Sequence, residues 1–395
     1  MIPETNPVIS SARHVYQGST AVRLNDAKIA STAADIHAKM LAEHYSPRTW
    51  RTHPLHLTPP ETISSISDPA ARPVLDWIFL ISSLNFSFWS ERDESSRFSV
   101  TWRESWDQNS APRRWTGYWS LVAALDRALE AGIPITDPAF YSSPEQCPDS
   151  TIGGVFRSAS SETIALLSDR IKIMREVGNI LVSQYEGSFQ VFLARFQEKH
   201  SGNGTALELV EAVLATFPSF RDELVVRGRK VCFWKRAQIL VAEVWAAFYP
   251  LSDLIPHPIL PHGVDQLTMF ADYRVPHLLE QMGTIEYSEE LQDALMRNQL
   301  LAPGSELEIS IRAASILAVE RIKADLLQLQ ADEPRSAQIR INSVLIDFWL
   351  WDLAKWMGNS HENLTALGLP HHRTRSICFL RARPVALAVY ASFLS

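Results

Sequence analysis

Cysteine is scarce in this chain. Cys147, Cys232 and Cys378 show no CxxC spacing and no even framework, which excludes a disulfide scaffold and a zinc ribbon and points to reduced thiols in a reducing compartment. Basic side chains do not outnumber acids: 37 Lys and Arg stand against 44 Asp and Glu, a net charge of −7. That balance argues against a general nucleic-acid binder but leaves room for a small basic pocket that holds one phosphate. Long apolar runs are missing too. The longest lies near residues 77–84, far short of the roughly 20 residues that span a bilayer. The N-terminus has no basic stretch followed by an apolar one, so no signal peptide is expected and the cytoplasm is the expected compartment. GxGxxG after a strand, GxxxxGK[ST], HExxH and GxSxG are all absent, which removes the commonest dinucleotide, NTPase, zinc-protease and esterase readings.

Hydrophobic residues make up 46% of the chain and charged residues 21%, ordinary values for a protein with a large core. Twelve tryptophans suggest an aromatic-rich interior and surfaces on which a planar ligand could stack. Apolar residues recur at helical spacing over residues 21–45, 162–196, 206–217, 233–249, 289–298, 306–330 and 340–356. Ser288, before Glu289 and Glu290, reads as an N-cap. Strand signals are confined to residues 98–102 and 227–232. Polar or Pro-rich loops are expected at 107–113, 142–150 and 252–263. No repeat of solenoid period is present. The expected fold is all-α with minor short strands: one globular domain over 1–395, irregular near its N-terminus.

Five clusters could carry chemistry. In Thr268-Met269-Phe270-Ala271-Asp272-Tyr273-Arg274-Val275-Pro276, Pro276 disfavours helix at Val275 and places Asp272 near an element end, where a carboxylate can face a pocket. The plain alternative is an Asp272–Arg274 ion pair or an N-cap. In Ile346-Asp347-Phe348-Trp349-Leu350-Trp351-Asp352, a helix would put Asp347 and Trp351 on one face. Acids among aromatics suit a purine-like base; the alternative is a core helix whose acids face solvent. Arg227–Val231 and Phe233–Gln238 concentrate Lys and Arg, so Lys235 or Arg236 at a helix start could meet a phosphate, or the segment could be a solvated basic turn. His53 and His56 in Trp50–His56 lack a nearby third metal ligand. His371-His372-Arg373-Thr374-Arg375 is an anion site or a basic loop.

Taken together these segments resemble a known family. Leu84-Asn85-Phe86-Ser87-Phe88-Trp89, Thr116-Gly117-Tyr118-Trp119-Ser120-Leu121, Gly132-Ile133-Pro134-Ile135-Thr136, Lys235 to Ala242, Thr268 to Pro276, Glu308-Ile309-Ser310-Ile311-Arg312-Ala313 and His372-Arg373-Thr374-Arg375 are similar, in order, to the motifs of the queuosine 5′-phosphate N-glycosylase/hydrolase family, the queuosine salvage proteins. The likeness runs from about residue 10 to 379. It implies a helical fold related to helix-hairpin-helix DNA glycosylases, and cleavage of queuosine 5′-phosphate to queuine and ribose 5-phosphate. It implies that Asp272 is the catalytic aspartate and that His53, Phe270, Asp347 and Asp352 line the ligand pocket, with Trp351 where the family also has an aromatic residue. Lys235, Arg236 and Arg274 are the candidates for the phosphate. The partner implied is a small molecule rather than a nucleic acid or a membrane, with a monomer expected and no metal or other cofactor. Residues 103–114 and 249–263 are longer than usual for the family, and 380–395 form a C-terminal extension.

Overall fold

A computed structural model describes residues 6–260, 262–272, 274–297, 299–334 and 338–360, the side chains of 356–360 excepted. Along the chain run α1 (Pro7–Gln17), β1 (Val22–Leu24), α2 (Asp26–Ala42), α3 (Arg72–Ser83), β2 (Ser99–Arg103), β3 (Pro112–Thr116), α4 (Tyr118–Glu130), α5 (Pro138–Ser142), α6 (Asp149–Val155), α7 (Leu167–Gln184), α8 (Phe189–Lys199) and α9 (Ala206–Thr216). There follow β4 (Glu223–Val226), β5 (Arg229–Cys232), α10 (Lys235–Ala247), α11 (Arg274–Gln281), β6 (Ile285–Tyr287), α12 (Glu289–Met296), α13 (Glu306–Leu329) and α14 (Ser343–Ser360). The strands form three antiparallel pairs, β1–β6, β2–β3 and β4–β5. The protein is predominantly helical, as expected.

The chain sorts into two compact units. One comprises residues 1–46, 222–235 and 265–395; the other comprises 47–221 and 236–264. The first is built on α13, which packs against α1, α2, α11 and α14. Every residue from Glu308 to Val319 is buried, Glu308 and Arg312 included, so this stretch is enclosed on all sides, as a central core helix is. The β4–β5 hairpin turns through Arg227 and Gly228, both at positive φ, as a two-residue turn matched to strand twist requires. Arg227 then donates to the carbonyls of His14 and Val15 at the end of α1. The basic cluster at this turn is structural.

The second unit centres on α3, buried from Val74 to Ser83, which packs on α7 and α8. Helices α5 and α7 cross at Gly178, where an added Cβ would come within 2.6 Å of the Tyr141 ring. The fully buried Arg170 donates to the carbonyls of Leu84, Phe86 and Ser87 and lies over the Phe86 ring. It thereby fixes the aromatic segment 84–89.

Three expectations change. Residues 22–24 are strand, and the helix starts at Asp26 because the Asn25 side chain caps it by accepting from the Lys28 N–H. The periodic stretch 162–196, whose spacing allows one or two helices, is two and starts only at Leu167; the break falls where Glu186 and Gly187 take positive φ and Ser188 caps α8. Val275 is helical despite Pro276: the proline sits in the first turn of α11, where no intrahelical N–H bond is lost.

Candidate active site

The first unit brings two carboxyls together on short backbone ties. Asp347, on the buried side of α14 and 4% exposed, accepts from the Phe270 N–H at 3.0 Å through Oδ1. Two residues beyond Phe270, Asp272 Oδ1 accepts from the N–H groups of Arg274 at 2.8 Å and Val275 at 3.0 Å. Asp272 therefore caps α11; of the plain alternatives, the cap is the one formed. Its Oδ2 carries no hydrogen bond among the described residues, and the residue keeps 9% exposure. One oxygen anchors the group while the other is left to act.

Electrostatics separate the two acids. Burial pushes the Asp272 carboxyl up, but Lys235 and the two capping N–H groups pull it back toward the charged form. Burial pushes Asp347 up further, the neighbouring Asp272 charge adds to this, and only the Phe270 N–H and Lys235 oppose it. A charge on Asp272 disfavours one on Asp347. Lys235 and the two capping N–H groups thus favour the charged form of Asp272, while burial and the Asp272 charge favour the protonated form of Asp347. Lys235, buried at the first position of α10, is the cation that faces both.

Farther along α14, Asp352 is open to solvent yet walled by protein, and that crowding lifts its carboxyl to about 6. The buried Tyr45 hydroxyl donates to its Oδ2 at 2.8 Å. Trp351 is half-buried, with the Lys355 ammonium 5.5 Å above its ring. The Phe270 ring lies 6.0 Å from that of Phe348. Burial, helped by the charge of half-buried Arg274 at the start of α11, pulls the His277 imidazole down to about 4.

His53 and Arg236 belong to the second unit. The His53 ring stacks on Trp119 at 3.4 Å with planes 2° apart, and its Nδ1 accepts from the Leu55 N–H at 3.2 Å. The other ring nitrogen is thereby fixed as the protonated one in the neutral imidazole. His56 is buried against Trp50, held at about 4 by burial, and its Nδ1 meets the Trp50 carbonyl. Among the described residues no group of three His, Cys, Asp or Glu could hold a metal ion. Arg236 is buried, with its guanidinium on the carbonyls of Ser83 and Ser219 and over the rings of Phe86 and Phe220. Packing in the second unit occupies it.

Sequence reasoning missed Tyr45 and drew nothing from Glu243, which is buried and accepts from Tyr118 Oη at 3.2 Å and Ser82 Oγ at 3.3 Å. Each partner lies 125 or more positions away, beyond any local spacing rule. Tyr273 and the segment His371–Arg375 lie outside the described residues.

A family model described as queuosine salvage protein matches residues 66–379, a span that includes Phe270, Asp272, Asp347 and Asp352. The chain belongs to the queuosine salvage protein family. Among curated relatives it is similar to a Schizosaccharomyces pombe protein, 39% identical over 388 residues, covering 94% of this chain and 99% of that protein. A mouse relative is 38% identical, with 78% and 83% of the two chains covered. One from the bacterium Sphaerobacter thermophilus is 32% identical, with 94% and 97% covered. All three are named queuosine 5′-phosphate N-glycosylase/hydrolase. The match of this queuosine salvage protein to its relatives thus extends over nearly the whole chain, not one motif.

Proposed function

We propose that this queuosine salvage protein hydrolyses the N-glycosidic bond of queuosine 5′-phosphate, releasing queuine and ribose 5-phosphate. The observation that supports it best is the carboxyl pair: Asp272, pinned through one oxygen beside the Lys235 charge, and Asp347, buried and pushed toward its protonated form.

When the ribosyl C1′–N bond breaks, its electron pair leaves with the base and positive charge grows on the sugar. The Asp272 carboxylate stabilises that charge electrostatically. A water oxygen then bonds C1′ and loses a proton, while the base gains one. The base is a 7-deazaguanine and has no N7 to protonate, so its departing charge has to be met at another edge. Asp347, held neutral, can donate a hydrogen bond there, as a carboxylic acid kept protonated in an apolar setting does. Asp352, the solvent-facing acid of α14, accepts from the guanine-like N–H groups. Phe270 and Trp351 supply ring surface to the base. Lys235 and Arg274 are the cations proposed for the phosphate. Arg236, committed to two carbonyls, is dropped from that set.

The test is Asp272→Asn. Asparagine caps helices as well as aspartate does, so α11 is retained and only the charge is lost. Release of queuine from queuosine 5′-phosphate should fall by at least about 100-fold, the scale of a positioned charge or acid–base group. Turnover near wild type in a folded variant would refute the assignment.

A further inference from the structure

The last turn of α2 ends in a way that aims one side chain. His44 takes a left-handed conformation at φ 50. The His44 N–H then bonds the Leu41 carbonyl and the Tyr45 N–H bonds the Met40 carbonyl, at 3.1 and 2.9 Å. This is a Schellman stop, and it normally has glycine at the left-handed position. Here a histidine holds it, and the residue that follows, Tyr45, turns inward and is buried. Its hydroxyl reaches Asp352 Oδ2 at 2.8 Å. The same helix end makes a second contact with α14: the Trp349 indole N–H donates to Glu43 Oε2 at 2.9 Å. Two side chains, two positions apart, thus fix α14 both along its axis and about it. Asp352 Oδ1 carries no hydrogen bond among the described residues.

We infer that Tyr45 is a positioning residue for base recognition: it holds Asp352 by one oxygen so that the other meets the N–H edge of the 7-deazaguanine. The inference rests on the proposed role of Asp352 in the reaction above. A carboxylate on the open side of a helix samples several rotamers and loses that freedom on binding. A charge-assisted bond from a buried phenol fixes it beforehand. The bond also favours the charged form, the form that accepts from two N–H groups. The titratable groups that bear on Asp352 are Tyr45, Glu43 and, along the same helix, Asp347. Of these, Tyr45 alone lowers its pKa, whereas Glu43 raises it.

The experiment is a double-mutant cycle on the full chain, with queuosine 5′-phosphate as substrate and kcat and KM followed from pH 5 to pH 8. Tyr45→Phe keeps the ring and deletes the hydroxyl. Its KM should rise about five- to tenfold, the cost of one charge-assisted bond, with kcat within about twofold. As pH falls, its KM should begin to climb at a higher pH than in wild type, because Asp352 now takes up its proton earlier. Asp352→Asn should raise KM at least as much and abolish that pH dependence. Adding Tyr45→Phe to it should change nothing further. If Asp352→Asn leaves KM unaltered, the proposed role of Asp352 fails, and the inference with it. If Asp352→Asn raises KM while Tyr45→Phe does not, or if Tyr45→Phe acts equally in the Asp352→Asn background, the role of Asp352 stands and the inference about Tyr45 is overturned.

Discussion

Replacing a carboxyl by its amide removes charge and nearly preserves shape, so the same change made at Asp272 and at Asp347 separates their roles. In the proposed reaction Asp272 acts through charge, and its amide has none to offer the sugar. Asp347 acts as a neutral donor, and the asparagine amide still donates while its oxygen still accepts from the Phe270 N–H. Asp347→Asn is therefore expected to cost about tenfold or less, against at least about 100-fold for Asp272→Asn. The pH profile gives the sign of each. Asp272 must be ionised, so kcat/KM falls as pH drops through its raised pKa. Asp347 must be protonated, so kcat/KM falls again as pH rises through its own, which burial holds well above the usual carboxylate range. Asp347→Asn should flatten the alkaline limb and leave the acid limb standing. An alkaline limb that survives the substitution would assign it to another group. These roles were only partly legible in the sequence. Residue spacing left Asp272 open between a cap and a pocket acid; the structure forms the cap through Oδ1, and the proposed chemistry falls to Oδ2. Which acid keeps the proton depends on burial and on a lysine 37 positions before Asp272, and no local pattern encodes that.

Helix ends set the site. Lys235 opens α10, and its N–H lies 3.4 Å from Asp222 Oδ2. Asp222 in turn takes both arms of the Arg312 guanidinium, which lies 3.9 Å over the Phe233 ring and 3.7 Å from Glu308. All three charged groups are buried, so none can turn to water if a partner is removed. Arg312→Met should lower the stability of the chain by about 3–5 kcal/mol, because two acids are left without their cation. Adding Asp222→Asn and Glu308→Gln should recover part of that loss. Urea unfolding with constant m-values measures both, and a triple variant weaker than the single one would contradict the argument. The recurrence of apolar residues announced α7 to α10 and α12 to α14. Helices α3 and α4 escaped because neither opens on a side-chain cap that would mark its start. Helix α11 escaped because proline in a first turn looks, in sequence, like proline that ends a helix.

The chain passes between the two units at four places: after residues 46, 221, 235 and 264. The candidate acids of the first unit come from its third segment, Lys235 ends its second, and Tyr45 lies next to the end of its first. No contiguous stretch of sequence contains a whole unit, so composition shifts along the chain could not reveal the division, and a single domain was the natural reading. The same interleaving bears on folding. A unit assembled from three separated segments closes long loops before it buries its core, and each of those loops is itself part of the other unit. We therefore expect the two units to unfold together. Differential scanning calorimetry should give one transition whose calorimetric and van't Hoff enthalpies agree, and Arg312→Met, although it lies wholly within the first unit, should move that one transition without splitting it. Two resolved transitions, with only the first displaced by the substitution, would show that the units fold independently and that the interleaved connectivity does not couple them.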